Sequence, residues 1–446
     1  MDSTSRQSGT SARHRRDHGT GAAPTGRRAA GVTPPVVAEL LATLHLVPGR
    51  AVTHNPTTLT AVVSQFPAPS QTFILRKLTG LRDAGMDVTV AAAEFTAPES
   101  STGFDHLALL PWRSPSVALE STSRPAWRAA VAALSTGSRS LGSLRRSIAL
   151  APITAADTDI VHFEFSGIAV SYLDQLSTLQ ERSRLVVSCR GAAEQIQPLK
   201  DPARRAALAE VFDAVDLVHC VSEDMRRTVE DLGAPADRIL VNRPAVPVAD
   251  FAALRARDTD HGGPFRLLSI GRLHWKKGLD DAVRAVALLR GRGVDVEYRI
   301  AGEGSEREKL SFMIQDLGLD GSVHLAGVRS QDQVCDMLGW ADALLLPSLS
   351  EGISNAVLEA MAAGLAVVTT DCGGMTEVVH QGVNGLVVDV GDIGAMAEHL
   401  AALSSDPDLR ARLGVAAAET ADESLDISHQ VRRFTRAYAQ ILAPED

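Results

Sequence analysis

The chain reads as an α/β protein built from two Rossmann-like, doubly wound domains that face each other across a cleft. Three observations predict this. Short apolar runs of four to six residues alternate with helical stretches through residues 56–245, and again through 265–424. A stretch rich in Pro, Gly and charge, 246–264, divides the two series. A length of 446 residues suits two or three domains at roughly 100–200 residues each.

Residues 1–55 are rich in Ser, Thr, Gly and Arg and read as a disordered basic tail without the apolar core of a secretion signal. Strands are predicted at Thr60–Ser64, Val88–Ala92, Asp159–Phe163, Arg184–Ser188 and Leu217–Cys220. A helix between the first two carries Phe73, Leu75, Leu78 and Leu81 at helical spacing. After the linker 246–264, strands are predicted at Phe265–Ile270, Val296–Ala301, Val323–Ala326, Ala343–Leu346 and Ala366–Thr370. The helix Leu279–Arg290 turns Leu279, Ala282, Val283, Val286 and Leu289 inward. The last stretch, 425–446, holds an amphipathic helix (Leu425–Leu442) expected to return to the first domain.

Composition narrows the function. Hydrophobic residues make up 45% and charged residues 22%, enough apolar matter for real cores. The net charge of −10 excludes a protein dominated by nucleic-acid backbone contacts. That charge is uneven: residues 1–150 hold 16 Lys+Arg against 9 Asp+Glu, a net of +7, and the rest of the chain carries −17. A basic first part is suited to an anionic substrate or to peripheral contact with an anionic membrane face. The four cysteines form no C-x-x-C pair, and no apolar run reaches the ~18 residues of a membrane span. A reduced, cytoplasmic setting, peripheral at most to the inner membrane face, follows as the expectation.

In doubly wound domains, ligands bind beyond the carboxyl ends of the strands. The loop after Phe265–Ile270 is Gly271-Arg272-Leu273-His274-Trp275-Lys276-Lys277-Gly278, and it holds two of the chain's five lysines. Cations between a strand end and a helix start suit a diphosphate, because Coulomb attraction and free amides act together. The spacing is neither a P-loop nor a dinucleotide turn. A second loop, Glu351-Gly352-Ile353-Ser354-Asn355, runs into a helix carrying Glu359, with Ser354 or Asn355 as its cap. Two carboxylates, Glu351 and Glu359, bracket the free amides there and suit sugar hydroxyls. Residues 351–400 hold seven acids and neither Lys nor Arg, so a bound phosphate is neutralised from elsewhere, with Arg272 and Lys277 the natural suppliers. A third turn, Thr370–Glu377, reads as a plain connecting loop with two glycines. In the first domain the post-strand loops hold Ser70, His162, Glu164, Arg190 and Gly191. Ser70, His162 and Arg190 are the candidates there, Arg190 for an anion, with His162 equally readable as a satisfied core histidine; the resemblance given below makes this the acceptor side. The two D-x-D sequences precede a strand or lie in the linker and give no metal site.

These pieces together resemble the retaining, nucleotide-sugar-dependent glycosyltransferases of family 4, which have the GT-B fold. The resemblance covers about residues 58–440. It is strongest in SIGRLHWKKG, IAGEGSEREKL, VHLAGVRSQDQV and ADALLLPSLSEGISNAVLEAMAAGLAVVTTDCGG. Pro69–Phe73 looks like the P-S-x-T-F variant of exopolysaccharide and colanic-acid transferases, and Arg190-Gly191 stands where many members have His-Gly. The resemblance implies that Arg272 and Lys277 hold the donor diphosphate and that Glu351 lies beside the donor sugar. It further implies that Gly271 and Gly352, Ile353, Ser354 and Asn355 contact donor groups, that Glu359 binds the ribose hydroxyls, and that Val328 lies near the base. The function implied is transfer of a sugar from a UDP- or GDP-sugar to a hydroxyl of a glycan or lipid-linked acceptor, with retention, in polysaccharide biosynthesis. No metal, no other cofactor and no protein nucleophile are expected. A GT-B nucleotide-sugar epimerase and a non-catalytic nucleotide-sugar-binding partner of a polysaccharide assembly complex remain as alternatives.

Overall fold

The computed structural model describes residues 56–68, 71–109, 141–256 and 261–444; the expected basic tail 1–55 and Ser70 lie outside them. The first sheet contains β1 (Thr58–Phe66), β2 (Asp87–Phe95), β3 (Asp105–Ala108), β4 (Ile160–Phe163), β5 (Arg184–Cys189), β6 (Leu217–Cys220) and β7 (Ile239–Val241). Its order is β3-β2-β1-β4-β5-β6-β7, and every pairing is parallel. The second contains β8 (Phe265–Ile270), β9 (Val296–Ala301), β10 (Val323–Gly327), β11 (Ala343–Leu346), β12 (Ala366–Thr370) and β13 (Leu386–Val388). Its order is β10-β9-β8-β11-β12-β13, again all parallel. Each sheet therefore reverses direction once, between β1 and β4 and between β8 and β11. These are the switch points at which doubly wound domains open a crevice.

The helices that position the site are α1 (Thr72–Asp83), α2 (Glu223–Asp231), α3 (Leu279–Gly291), α4 (Asn355–Ala362) and α5 (Ile427–Leu442). Parallel strands are covered on both faces, and their sequences show it. In the first sheet Leu59, Ala61, Val63, Ile160 and Val186 pack on one side, and Val62, Val161, Leu185 and Val187 on the other. Two further apolar clusters cover the faces of the second sheet in the same way. On α3 all five residues expected to point inward are buried.

The chain crosses between the sheets twice, and the crossings lie side by side. Val246 and Asp426 form a parallel bridge, with the Val246 amide donating to Leu425 O at 2.9 Å and the Ile427 amide to Val246 O at 2.9 Å. The stretch 246–264, read from the sequence as a linker, has its first described residues packed. Val246, Val248 and Phe251 are buried in the core of the second domain, because this Pro-rich stretch also carries large apolar side chains. Past the second crossing, α5 lies on the first sheet. Its stripe of Val431, Phe434, Ala437 and Tyr438 packs with Leu59, Ile74 and Leu78. Arg432, Arg433 and Arg436 stay exposed on the opposite side. No helix among the described residues is long and apolar enough to cross a membrane.

Candidate active site

The cationic loop leaves β8 at Gly271 and enters α3 at Leu279. Gly278 makes the turn with φ of +60°, and a Cβ there would lie 2.0 Å from Pro347 O. Only glycine lets the loop lie this close to the end of β11. Lys276 O accepts from the Leu349 amide at 2.7 Å, tying the two loops together. Across this junction the Lys277 ammonium pairs with Glu351 Oε1, which also accepts from Ser348 Oγ at 3.1 Å. Both partners are largely enclosed, each with 12% of its side chain exposed. Arg272 is exposed, and its guanidinium has no hydrogen-bond or ion-pair partner among the described residues. Burial holds Lys276 below the usual lysine range, and the nearby Arg272 and Lys277 charges act in the same direction. His274 is likewise lowered, first by burial and then by Lys276 and Arg272, and so stays neutral at pH 7. The loop offers three cations against the one Glu351 carboxylate.

Ser354 takes the cap position of α4, although its side chain makes no capping hydrogen bond. Gly352, Ile353, Asn355 and Ala356 have amides without a partner among the described residues. Asn355 Oδ1 is buried and likewise unpartnered. An unpaired buried polar atom beside free helix amides is costly unless a ligand fills it. The turn Thr370–Glu377 braces this loop from behind, with the Gly374 amide donating to Gly352 O at 2.7 Å. Glu359, in the second turn of α4, is buried, and burial raises its pKa against the pull of Arg76. Val328 stands 60% exposed just past the edge strand β10.

The first domain meets this face directly. A Cβ on Gly352 would lie 3.0 Å from Arg190 O, so Arg190, just past the end of β5, lies against the Glu351–Asn355 loop. Its guanidinium pairs with Glu164, Nη2 to Oε2 at 2.7 Å and Nε to the backbone O at 3.0 Å. It also lies 4.9 Å from the Phe73 ring. Glu164 is fully buried and is shared with Lys77 of α1. Burial pushes this carboxyl upward, yet the Lys77 and Arg190 charges keep it below the usual carboxylate range. Burial brings Lys77 down to about 8 despite Glu164.

Against the acceptor-side expectation for His162 stands its burial. The residue is fully buried, with both ring nitrogens bonded inside the first domain. Asn242 O can only accept, so His219 Nε2 donates to it at 2.8 Å. His219 Nδ1 then accepts from Ser188 Oγ, and Ser188 accepts from His162 Nε2, both at 2.8 Å. His162 Nδ1 accepts from the Tyr438 hydroxyl at 2.7 Å. Both rings are neutral, lowered chiefly by burial. This is the core-histidine reading, and Tyr438 of α5 completes it.

Sequence reasoning passed over Arg76 and Lys77. Arg76 reaches from α1 to Glu359, Nη1 to Oε1 at 2.7 Å, across 283 positions of sequence. The only visible signal was an Arg-Lys pair inside the apolar stretch FILRKLTGL. Glu377, read as part of a plain loop, also crosses to the first domain. Its carboxylate accepts from the Glu223 and Asp224 amides, each at 3.1 Å, and pairs with Arg243 at 2.7 Å.

Two parallel-sheet domains closing on a cationic loop and a helix N-terminus are the architecture of GT-B glycosyltransferases. Residues 250–420 match the family of group 1 glycosyl transferases, and residues 70–245 match the glycosyl transferase 4-like domain. Among curated relatives, the amylovoran biosynthesis glycosyltransferase AmsK of Erwinia amylovora is 31% identical over 78% of this chain and 90% of its own. The putative colanic acid biosynthesis glycosyltransferase WcaL of Escherichia coli is 28% identical over 76% and 89%. Solved structures of the same fold include Anabaena HepE in complex with UDP, with a TM-score of 0.65 and 17% identity over 86% of this chain and all of that one. A sucrose-phosphate synthase from Thermosynechococcus elongatus superposes with a TM-score of 0.68 and 16% identity, over 86% of this chain and 99% of that one. The chain belongs to this glycosyltransferase family and is a glycosyltransferase.

Proposed function

We propose that this enzyme moves a sugar from a UDP- or GDP-sugar to a hydroxyl of a glycan or lipid-linked acceptor, with retention at the anomeric carbon, in polysaccharide biosynthesis. The observation that carries the reading is the Lys277–Glu351 contact at the β8/β11 switch point, beside Arg272 and the unpaired amides of Gly352, Ile353, Asn355 and Ala356. Separating a nucleoside diphosphate from an oxocarbenium-like sugar is the main barrier. Preorganised cations and amides aimed at the leaving oxygens lower it, because they need no reorganisation as charge develops. Lys277 and Arg272 neutralise the diphosphate, Glu351 lies beside the sugar, and Glu359 receives the ribose hydroxyls. This supply of positive charge favours a reaction that needs no divalent cation.

Relatives named for amylovoran and colanic acid biosynthesis support a polysaccharide acceptor. HepE in complex with UDP supports a uridine nucleotide. We place the enzyme in the cytoplasm, where a lipid-linked acceptor would bring it to the inner membrane face. Arg190, held by Glu164 at the mouth of the first domain, is the acceptor-facing cation. Thermal-shift titration with UDP, GDP and ADP tests the donor, since a ligand that binds only the folded state raises the melting temperature. Mass detection of the sugar product then separates transfer from epimerisation, and release of free sugar or epimer without acceptor would favour the epimerase.

A further inference from the structure

Glu359 has a partner that its own domain does not supply. Residues 351–400 contain neither Lys nor Arg, and the cation acting on the Glu359 carboxylate is Arg76 of the first domain. Their side chains are 14% and 8% exposed, so the pair is shielded from solvent. The Arg76 guanidinium also lies 6.0 Å from the ring of Phe251, which belongs to the second domain's core. Cys335 of the helix Gln331–Trp340 feels the charges of both Glu359 and Arg76, and it brings no positive charge of its own. Next to Arg76 on α1, Lys77 turns the other way, into the first domain and onto Glu164.

The contact leaves room for a ligand. Arg76 takes Glu359 Oε1, and Oε2 has no hydrogen-bond partner among the described residues. A carboxylate with one oxygen anchored is fixed in rotation while the other still accepts a hydroxyl. We propose that Arg76 is a positioning residue for the donor: from the opposite domain it holds Glu359 in the orientation that receives the nucleoside hydroxyls, and so couples donor binding to the closed arrangement of the two domains. This rests on the donor-site reading of Glu359 given above. Without Arg76, Glu359 is a buried carboxyl with no counter-charge, a state that favours its protonated form and a wandering side chain.

The test is steady-state kinetics with the UDP- or GDP-sugar whose nucleotide stabilises the wild type, on Arg76→Met, Arg76→Lys, Glu359→Gln and the double variant Arg76→Met/Glu359→Gln. One charge-assisted hydrogen bond is at stake, so Arg76→Met raises donor KM about tenfold. Turnover at saturation stays close to wild type, and Arg76→Lys recovers most of the KM. In the Glu359→Gln background, Arg76→Met adds little, because the two act through one contact. Should Arg76→Met fail to fold, Arg76→Gln carries the same comparison. An unchanged KM in Arg76→Met, beside a raised KM in Glu359→Gln, overturns the role of Arg76 and leaves the donor site standing. Equal effects of Arg76→Met in both backgrounds overturn it as well. A Glu359→Gln enzyme with wild-type KM overturns the donor-site reading itself, and this inference with it.

Discussion

Lys277 is the side chain on which the proposed chemistry leans most. Its ammonium is held by Glu351 at the strand end, so its position is set before the donor arrives. Arg272, unpaired and exposed, adds a second charge to the same loop. Losing one preorganised donor to developing charge costs on the order of 10²–10³ in turnover. Lys277→Ala and Arg272→Ala each fall in that range, with melting temperatures near wild type; full activity in both would refute the assignment. Lys77 makes a different prediction. Burial lowers its folded pKa to about 8, below the 10.5 of an exposed lysine. Between pH 8 and 10 the unfolded chain therefore binds more protons than the fold, and stability contributed by this group rises with pH. Denaturant unfolding of wild type and Lys77→Met at pH 7.5 and 9.5 measures it. The stability of wild type relative to the variant increases at the higher pH, by at most about 1.4 kcal/mol per pH unit. A constant difference would show that Lys77 keeps its proton.

At the scale of elements, the turn Thr370–Glu377 is more than a connection. Gly373 has φ of +57°, and a Cβ there would lie 1.8 Å from Glu351 O, so the turn seats tightly under the Glu351–Asn355 loop. Glu377 at its end satisfies two free amides of α2 in the other domain, as an N-cap does within one chain segment. Glu377→Ala costs about 1–2 kcal/mol by loss of that cap. Urea unfolding reads the loss, and an unchanged midpoint would show that water replaces the carboxylate at no cost. Such contacts also mark what the sequence could tell. The central strands β8, β9, β11 and β12 were legible to the residue or nearly so, because burial on both faces forces continuous apolar runs. The edge strands β3, β7 and β13 were not, since runs of three or four residues leave no pattern above that of a loop. The loops bearing Arg272, Lys277, Glu351 and Glu359 could be picked out by charge and their place after strands. Arg76 and the domain-crossing role of Glu377 could not, because their partners lie 283 and about 150 positions away and no local spacing encodes them.

For the whole molecule, the decisive feature is that the first sheet is finished by the last helix. Val431, Phe434 and Tyr438 of α5 are at most 7% exposed, and all three join the cluster on one face of β1, β4 and β5. Burying three such side chains is worth roughly 5–9 kcal/mol, comparable to the total stability of a domain. The polar account agrees. Without α5, His162 Nδ1 loses the Tyr438 hydroxyl, and Asn242 Nδ2 loses Gln430 O, to which it donates at 3.0 Å. The second domain has no such debt, because its cores draw on Ala417, Ala421 and Leu425, all ahead of α5. A chain ending at Leu425 therefore unfolds in its first half and keeps its second. Limited proteolysis with mass detection would leave a resistant fragment beginning near Val246 and ending near Leu425, and donor-nucleotide binding would weaken as Arg76 and Arg190 leave the cleft. Phe434→Ala gives the graded version, a loss of about 3–5 kcal/mol confined to the first domain. A truncated chain whose two halves resist protease as well as wild type would mean that α5 merely rests on the sheet, and that the first domain folds from residues 56–245 alone.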